Sequence, residues 1–260
     1  MKKQGLCIVL ATAMLSTVLA SCSLGGESPT DPQPTQHPVM SYSEKVSYYD
    51  ALVAGDNDPI PLTTALNKSV SIEGDPELLN EEVYERILEI ANETFPRVRS
   101  KYGTSGSQAV VITLETSPAD ITSCYAVGST VVLNVDWFNK HPNDCDALIE
   151  GIAMAVMQHS ESDKKPAWLI NALKVYIRDE FALYKADSSL SLPKRYNGKS
   201  YESNSSSAAA FLKWVRDTQH VDIAERLNRQ LRTIDGYQDI IWREATGKTL
   251  NQLWDEYKNA

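Results

Sequence analysis

The sequence is poor in histidine, and this scarcity bears directly on metal chemistry. Its 260 residues include four histidines, His37, His141, His159 and His220, and none of them is followed by glutamate. A zinc site of the H-E-x-x-H type needs two histidines four residues apart, so that both reach one ion from the same helix face, and a glutamate as general base. The sequence therefore excludes this type of catalytic zinc site.

Positive charge and long apolar runs are also scarce. Lysine and arginine number 25 against 34 aspartates and glutamates, which gives a formal net charge of −9. Such acidity argues against nucleic acid and anionic lipid surfaces as partners, because their phosphates attract basic patches. The longest apolar run, residues 6–20, is shorter than the roughly 20 residues of a comfortable membrane span. We expect no nucleic-acid partner and no membrane-spanning helix in the body of the protein.

The amino-terminal residues have the layout of a signal peptide that ends at a lipid-modified cysteine. Two lysines precede the apolar run, and small residues stand directly before Cys22. This layout resembles a bacterial lipobox, which is cut before the cysteine that receives the acyl chains. Residues 1–21 are therefore predicted to be a lipoprotein signal peptide. The alternatives are an ordinary signal peptide with an incidental cysteine, or a membrane helix.

The next segment, residues 22–40, is predicted to be the lipidated cysteine and a flexible tether. It is rich in Pro, Ser, Thr and Gly and has little to bury. The protein is then lipid-anchored in the bacterial cell envelope, at the periplasmic or surface face of the outer membrane, and the lipid makes the membrane its partner. Residues 41–260 are predicted to form a single domain, which is long enough to bury a substantial core.

Hydrophobic periodicity predicts a long helix among the strands of the first half and a mainly helical second half. An amphipathic stripe indicates a long helix over residues 76–102, which Pro96 is expected to kink or end. The chain after residue 143 has helical spacing, interrupted by a polar loop that ends in a serine run. Runs of strand length and composition cover residues 68–72, 110–115, 123–127 and 130–135. The polar loop covers residues 187–207.

Residues 146–178 carry the most informative pattern, DALIEGIAMAVMQHSESDKKPAWLINALKVYIR. This segment resembles the active-site region of the basic secretory protein family of plants and bacteria, which are zincin-type peptidases. In that family the first helix reads approximately D-x-L-x-H-E-x-x-H, and the second begins P-x-W-L-x-E-G-x-A-D-Y-x-R. A weaker resemblance extends over residues 67–258. The scaffold positions that agree are Asp146, Leu148, Pro166, Trp168, Leu169, Tyr176 and Arg178.

The positions that carry the chemistry of that family hold other residues here. Glu150 and Met154 stand where the two histidines would be, Gly151 replaces the general base, and Asn171 and Val175 replace two acids of the second helix. A glycine accepts no proton, and a thioether or a neutral amide binds zinc poorly. The resemblance implies a zincin-like α+β fold, with a small twisted sheet of about four strands and a mainly helical C-terminal half, but without the family's zinc cofactor.

These observations predict a lipid-anchored pseudopeptidase with no catalytic residue. Its expected ligand is a peptide or a glycan in the former active-site cleft, with Trp168, Tyr176 and Ser205 as candidate lining residues. For Trp168, as for Trp137 and Phe138, a place in the core is the favoured interpretation, because such aromatics are more often core than groove.

Two other functions remain open at this stage. The first is an active zinc metallopeptidase with an atypical site, for which Glu150, His159 and Glu161 are the candidate ligands. These residues are more simply explained as a solvated helix end, where a histidine complements the helix dipole. The second is a purely structural envelope lipoprotein.

Two cysteines fall within the predicted domain, Cys124 and Cys145. In an oxidising compartment an exported pair can form a disulfide. Alternatively, both are buried as small apolar residues. The sequence leaves both alternatives open, because it does not supply the Cα separation that a disulfide requires.

Overall fold

A computed structural model of the chain describes residues 68–104, 107–116, 122–159, 165–233 and 235–260. The predicted lipidation site at Cys22, the tether and Glu161 lie outside the described residues. Within the described residues, no helix combines the length and the apolar character needed to cross a membrane.

Four strands form one mixed sheet: β1 (Val70–Glu73), β2 (Val110–Glu115), β3 (Cys124–Val127) and β4 (Thr130–Asn134). Their order is β1-β2-β4-β3, with β1, β2 and β4 parallel and β3 antiparallel to β4. Runs of β-branched residues favour these strands because such side chains pack well on a pleated surface. The small four-stranded sheet that the sequence predicted is confirmed.

Strands β3 and β4 are joined by a two-residue turn at Gly128 and Ser129. Val127 pairs with Thr130, and Gly128 has a φ of 60°. Tight hairpin turns need a left-handed backbone of this kind, which glycine adopts without a steric penalty. The turn leaves β3 at one edge of the sheet.

The long helix α1 (Glu81–Tyr102) begins later than predicted. A separate 3₁₀ turn, Pro76–Leu78, precedes it, and the carboxylate of Asp75 accepts a hydrogen bond from the Glu77 N–H at 3.0 Å. Pro96, which was expected to kink or end the helix, does not end it, because the helix continues to Tyr102. The buried stripe of α1 that faces the core consists of Val83, Ile87, Leu88, Ile90, Ala91, Thr94, Phe95, Val98 and Tyr102.

A short helix, α2 (Val135–Lys140), follows β4 directly and was missed at the sequence level. The Asn134 side chain caps it by accepting the Trp137 N–H at 3.1 Å. Phe138 is fully buried, as predicted. Trp137 is half-buried and stacks on His141, with ring centroids 4.3 Å apart. The core interpretation therefore holds for Phe138 and only partly for Trp137.

The C-terminal half is mainly helical, as predicted. The six helices described after residue 143 are α3 (Leu148–Met157), α4 (Ala167–Phe181), α5 (Ser205–Gln219), α6 (Ile223–Leu231), α7 (Ile240–Thr246) and α8 (Leu250–Lys258). Helix α3 packs against β3, β4 and α1, and α4 packs between α3 and α5. The fold is therefore α+β, and α1 also contacts α4 and α6.

Residues 205–207 of the serine run form the first turn of α5, which corrects the prediction of a loop to residue 207. Asn204 is the N-cap, and its side-chain oxygen accepts the Ser207 N–H at 2.8 Å. Ser205 is the first residue of the helix, and Ser207 is buried. An N-cap bond of this kind satisfies one of the N–H groups that a helix start leaves free. It explains why a serine-rich segment starts a helix here.

Candidate functional site

Helix α3 exposes a single narrow face, and the two former histidine positions lie on it. Eight of its ten residues are buried, and only Glu150 and Met154 are partly exposed. Residues four apart lie one above the other on a helix surface. The fold thus keeps the orientation in which two side chains of α3 would approach one ligand, although neither side chain is a histidine.

Gly151 lies where α3 contacts the sheet most closely. A Cβ atom at this position would lie 2.6 Å from Val131 Cγ1 and 2.9 Å from Cys124 Sγ. Both distances are shorter than any ordinary contact between such atoms, so even alanine would force a shift in a close-packed interior. The glycine is required by the packing of α3 on β3 and β4, and the position has no room for a general base.

Glu150 is engaged in an ion pair. Its Oε1 accepts a hydrogen bond from Arg178 Nη1 at 2.9 Å. The other terminal nitrogen of Arg178 bonds Asp144 Oδ1 at 2.5 Å and Ser188 Oγ at 2.9 Å. Arg178 is 7% exposed and Asp144 5%. The guanidinium therefore joins the start of α3 to the end of α4 and neutralises the carboxylate that stands at the first ligand position.

A second carboxylate at the same end of α3 has a structural role. Asp146 is fully buried and accepts the backbone N–H groups of Leu183 and Tyr184, at 3.1 and 2.9 Å. Burial raises the pKa of Asp146, while these two bonds act in the opposite direction. This explains physically why the aspartate belongs to the scaffold positions: it fixes the chain that leaves α4.

The other former ligand positions hold side chains that do not suit a metal ion. Met154 borders a cavity of about 410 Å³ between α3, α4 and β3, together with Ala126, Met157 and Ile170. Asn171 is exposed on α4, and Val175 is buried. With Glu150 paired, a methionine, an amide and an aliphatic side chain do not fit a zinc ion. Among the described residues, no group of three His, Cys, Asp or Glu side chains is placed to hold a metal.

His159 lies at the opposite end of α3 from the Glu150–Arg178 pair. Its Nε2 is 3.4 Å from the carbonyl oxygen of Asn228, and burial lowers its pKa to about 4. It is therefore neutral at neutral pH, and not the charged helix-end histidine that the sequence suggested. The structure brings Glu150 to Arg178 and His159 to Asn228, so these two candidate ligands are not assembled into one site.

The two cysteines are free thiols, so the disulfide alternative is not realised in the structure. The thiol of Cys124 donates to the carbonyl of Ala147 at 3.4 Å, and that of Cys145 to the carbonyl of Pro142 at 3.2 Å. Burial raises the pKa of Cys124 to about 11 and that of Cys145 to about 12. Thiols with such pKa values are poor nucleophiles, since the thiolate is the reactive form.

The three residues predicted to line one cleft lie in different environments. Tyr176 is buried, and its hydroxyl accepts a hydrogen bond from Arg216 at 3.0 Å. Ser205 belongs to the first turn of α5 and borders none of the cavities described here. Tyr176 and Ser205 therefore border neither of the cavities beside Met154 and Trp168. Trp168 does line a cavity, but not the one beside Met154.

The cavity beside Trp168 has a volume of about 580 Å³ and is bordered by the segment before α5, by α7 and by the start of α8. The core interpretation holds only in part for Trp168, as for Trp137, because the ring packs against the core and is half-buried at the wall of this cavity. Sequence reasoning missed the other wall residues, since they come from segments that are far from Trp168 in the chain. The residues that border it are Trp168, Tyr201, Glu202, Tyr237, Asp239, Ile240, Arg243, Thr249, Leu250 and Asn251.

Comparison with known proteins supports the resemblance found in the sequence. Residues 129–257 match the model of the BSP family, which is described as a peptidase of plants and bacteria. The match begins at the β3–β4 turn and includes β4 and all the helices from α2 to α8. No curated protein and no solved structure matches the chain.

Proposed function

Because residues 129–257 belong to the basic secretory protein family, we propose that this protein is a peptidase-like envelope protein that binds a peptide without hydrolysing it. The proposal rests on one observation. At the position of the first metal ligand Glu150 is paired with Arg178, and at the position of the general base Gly151 has no room for a side chain. Metal-activated water needs both groups.

The fold supports a zincin-like relationship, which we propose together with this function. A mixed sheet ends in an antiparallel edge strand, β3, and a helix packs against that edge with two partly exposed residues four apart. A second helix, α4, covers the other side of the first. A cleft between the edge strand and two helices is the arrangement that the family resemblance implies.

The geometry around β3 favours an extended peptide as the ligand. On this strand Tyr125 and Val127 are exposed, Val127 by 66%. Among the described residues, no strand pairs with the outer edge of β3. An extended peptide can add a strand to such an edge through main-chain hydrogen bonds, while alternate side chains enter adjacent pockets. The cavity beside Met154, Met157 and Ile170 lies next to this edge and offers apolar contacts for such a side chain.

The position of the free main-chain groups defines a specific test. Asn134 N–H bonds the Ser123 carbonyl at 2.9 Å. Hydrogen-bonded and non-bonded residue pairs alternate along an antiparallel ladder. Since Ser123 and Asn134 form a bonded pair, Ala126 and Val131 form a non-bonded pair, and the N–H and C=O of Ala126 point away from β4. Replacing Ala126 by proline removes that outward donor and leaves the bonds to β4 in place.

We expect full-length protein to bind a pool of fluorescently labelled, unstructured casein peptides, and Ala126→Pro to weaken this binding by about fivefold. The proline removes one main-chain donor, and one lost hydrogen bond, at about 1 kcal/mol, gives an effect of this size. Fluorescence anisotropy measures the binding. Mass spectrometry of the recovered peptides should find them intact, with or without added zinc.

The matched control is Ala126→Ser, which keeps the N–H and should bind as the wild type does. Equal binding by the proline variant would refute the edge-strand mode. One zinc per chain, with cleavage that a chelator abolishes, would instead establish an active peptidase with an atypical site. A wild-type protein that binds none of the peptides would favour the purely structural role.

We further propose that acylation of Cys22 holds the protein at the bacterial envelope. The support is the sequence layout before Cys22 and the low-complexity segment after it. Each buried acyl CH₂ contributes about 0.8 kcal/mol, so several chains hold a protein firmly at the membrane.

The Cys22→Ser variant is expected to leave the membrane fraction, since the acidic domain has no affinity of its own for anionic lipid. Detergent phase separation of cell fractions measures the shift. Serine substitution at Cys124 provides the control, because this thiol lies in the folded domain and should not affect partitioning. Persistent membrane association of Cys22→Ser would contradict lipid anchoring at this residue.

A further inference from the structure

The cavity beside Trp168 is separate from the cleft at β3. Trp168 and Ile170 are two residues apart in α4, so they lie about 160° apart around the helix axis. Ile170 borders the cavity near Met154, while Trp168 borders the larger cavity, and the two cavities share no lining residue. Any ligand of the Trp168 cavity therefore binds independently of the proposed peptide cleft.

Three aromatic rings stand at the wall of the Trp168 cavity. The ring centroid of Trp168 is 4.6 Å from that of Tyr201, with the planes tilted by 59°, and 6.5 Å from that of Tyr237. All three rings are half-buried, so each has one part packed against protein and another part at the cavity. Aromatic faces carry negative charge density and attract the weakly positive C–H groups of a ligand that lies flat on them.

The aromatic wall is held in place by the core behind it. The indole N–H of the fully buried Trp242 donates to the Tyr237 hydroxyl at 2.8 Å, and that hydroxyl donates to Asp239. Tyr201 makes an edge contact with Trp254, with centroids 5.0 Å apart. A site whose side chains are fixed before binding loses less conformational entropy when its ligand arrives.

Four polar side chains at the rim of the cavity provide hydrogen-bond donors and acceptors. Glu202 and Asp239 offer carboxylates, Arg243 a guanidinium and Asn251 an amide. Within the part of the chain that the structure describes, the side chains of Glu202, Arg243 and Asn251 make no hydrogen bond or ion pair with one another or with other residues. They are planar donors and acceptors of both signs, suited to a neutral ligand that carries many hydroxyl groups.

We propose that this cavity is a saccharide-binding site, with Trp168 as the stacking platform. The C–H face of a pyranose ring packs on the indole, while its hydroxyls bond to the carboxylates, the guanidinium and the amide. A volume of about 580 Å³ lies within the range of small-molecule sites and accommodates a short oligosaccharide segment. A lipid chain would make no hydrogen bond to the four polar side chains at the rim, and a strongly anionic ligand would be repelled by two carboxylates against one arginine.

The test uses full-length protein in a zwitterionic detergent without a sugar headgroup. Four series of neutral oligosaccharides are titrated by calorimetry: β-linked and α-linked glucose oligomers, mannose oligomers and N-acetylglucosamine oligomers. At least one series is expected to bind saturably. Trp168→Ala should weaken that binding by about tenfold or more, as for a stacked tryptophan at the centre of an interface. Arg243→Met, which leaves the aromatic wall intact, should weaken it as well.

The matched control is Trp137→Ala, because Trp137 is also half-buried but stacks on His141 outside this cavity. Its saccharide affinity should equal that of the wild type, and so should that of Ala126→Pro. The proposal is overturned if none of the four series binds the folded wild type, or if Trp168→Ala and Arg243→Met bind as well as the wild type. It is also overturned if casein peptides compete with the saccharide, which would identify this cavity as a peptide site.

Discussion

Replacing Gly151 by glutamate, the general base of the family motif, is expected to reduce the free energy of unfolding by about 3 kcal/mol or more. The added Cβ alone would lie 2.6 Å from Val131 Cγ1. Overpacking of a core costs about 1–3 kcal/mol, and a carboxylate buried without a partner costs more. Chemical denaturation of the wild type and the variant measures the difference.

Gly151→Ala gives the sharper measurement, because it adds only the methyl group. In an open helical position this change stabilises by up to about 1 kcal/mol. Here we expect a loss of about 1–3 kcal/mol, since the methyl group must displace Val131 or Cys124. Stabilisation by Gly151→Ala would show that α3 is not packed as closely on the sheet as described.

A double-mutant cycle separates this contact from general effects. In the Val131→Ala background the atom nearest to the new methyl group is gone, so Gly151→Ala should cost at least about 1 kcal/mol less than in the wild type. Additive effects would mean that Val131 and residue 151 are not in contact. It also follows that rebuilding the metal motif in this chain requires a smaller side chain at Val131 or Cys124 first.

The second large effect is expected at Arg178. Arg178→Met should reduce the free energy of unfolding by about 3–5 kcal/mol, because it leaves Asp144 buried and Glu150 unpaired. Removing one partner of a buried ion pair leaves the other charge buried without compensation. This destabilises the protein more than replacing both partners by apolar residues does. Urea or guanidinium unfolding, followed by circular dichroism, measures the loss.

Lys248→Met provides the control for Arg178. Lys248 and Glu256 form an ion pair of similar length, 2.7 Å, but both side chains are more than a third exposed. Such pairs contribute less than about 1 kcal/mol, so this variant should unfold almost as the wild type does. A comparably small loss for Arg178→Met would mean that the guanidinium does not hold α3 and α4 together.

Local sequence patterns predicted the parts of the fold in which one residue type dominates. The β-branched run at β2 was placed correctly to the residue, and the apolar spacing of α3 indicated a helix. The same spacing already places Glu150 and Met154 on one helix face. These features depend on neighbours within about one or two helical turns, and a sequence supplies such neighbours directly.

The rest depends on contacts between residues far apart in the chain. The reason for Gly151 lies on β3 and β4, and the partner of Glu150 lies 28 residues away. At Asn204 a cap signal was present, but the serines that follow it are equally typical of a loop. For Trp168, helical spacing shows that a ring lies on a half-buried face and does not distinguish the core from a cavity wall.

The bonds of Asp144, Asp146 and Arg178 all lie at one end of the α3–α4 pair. Met154, Met157 and Ile170 lie towards the other end, because the two helices run antiparallel. Glu150 and Met157 are seven residues apart, so about 10 Å of helix separates the ion pair from the far end of the cleft. We therefore expect a ligand side chain that enters beside Met157 to leave the charges that hold the helices together undisturbed.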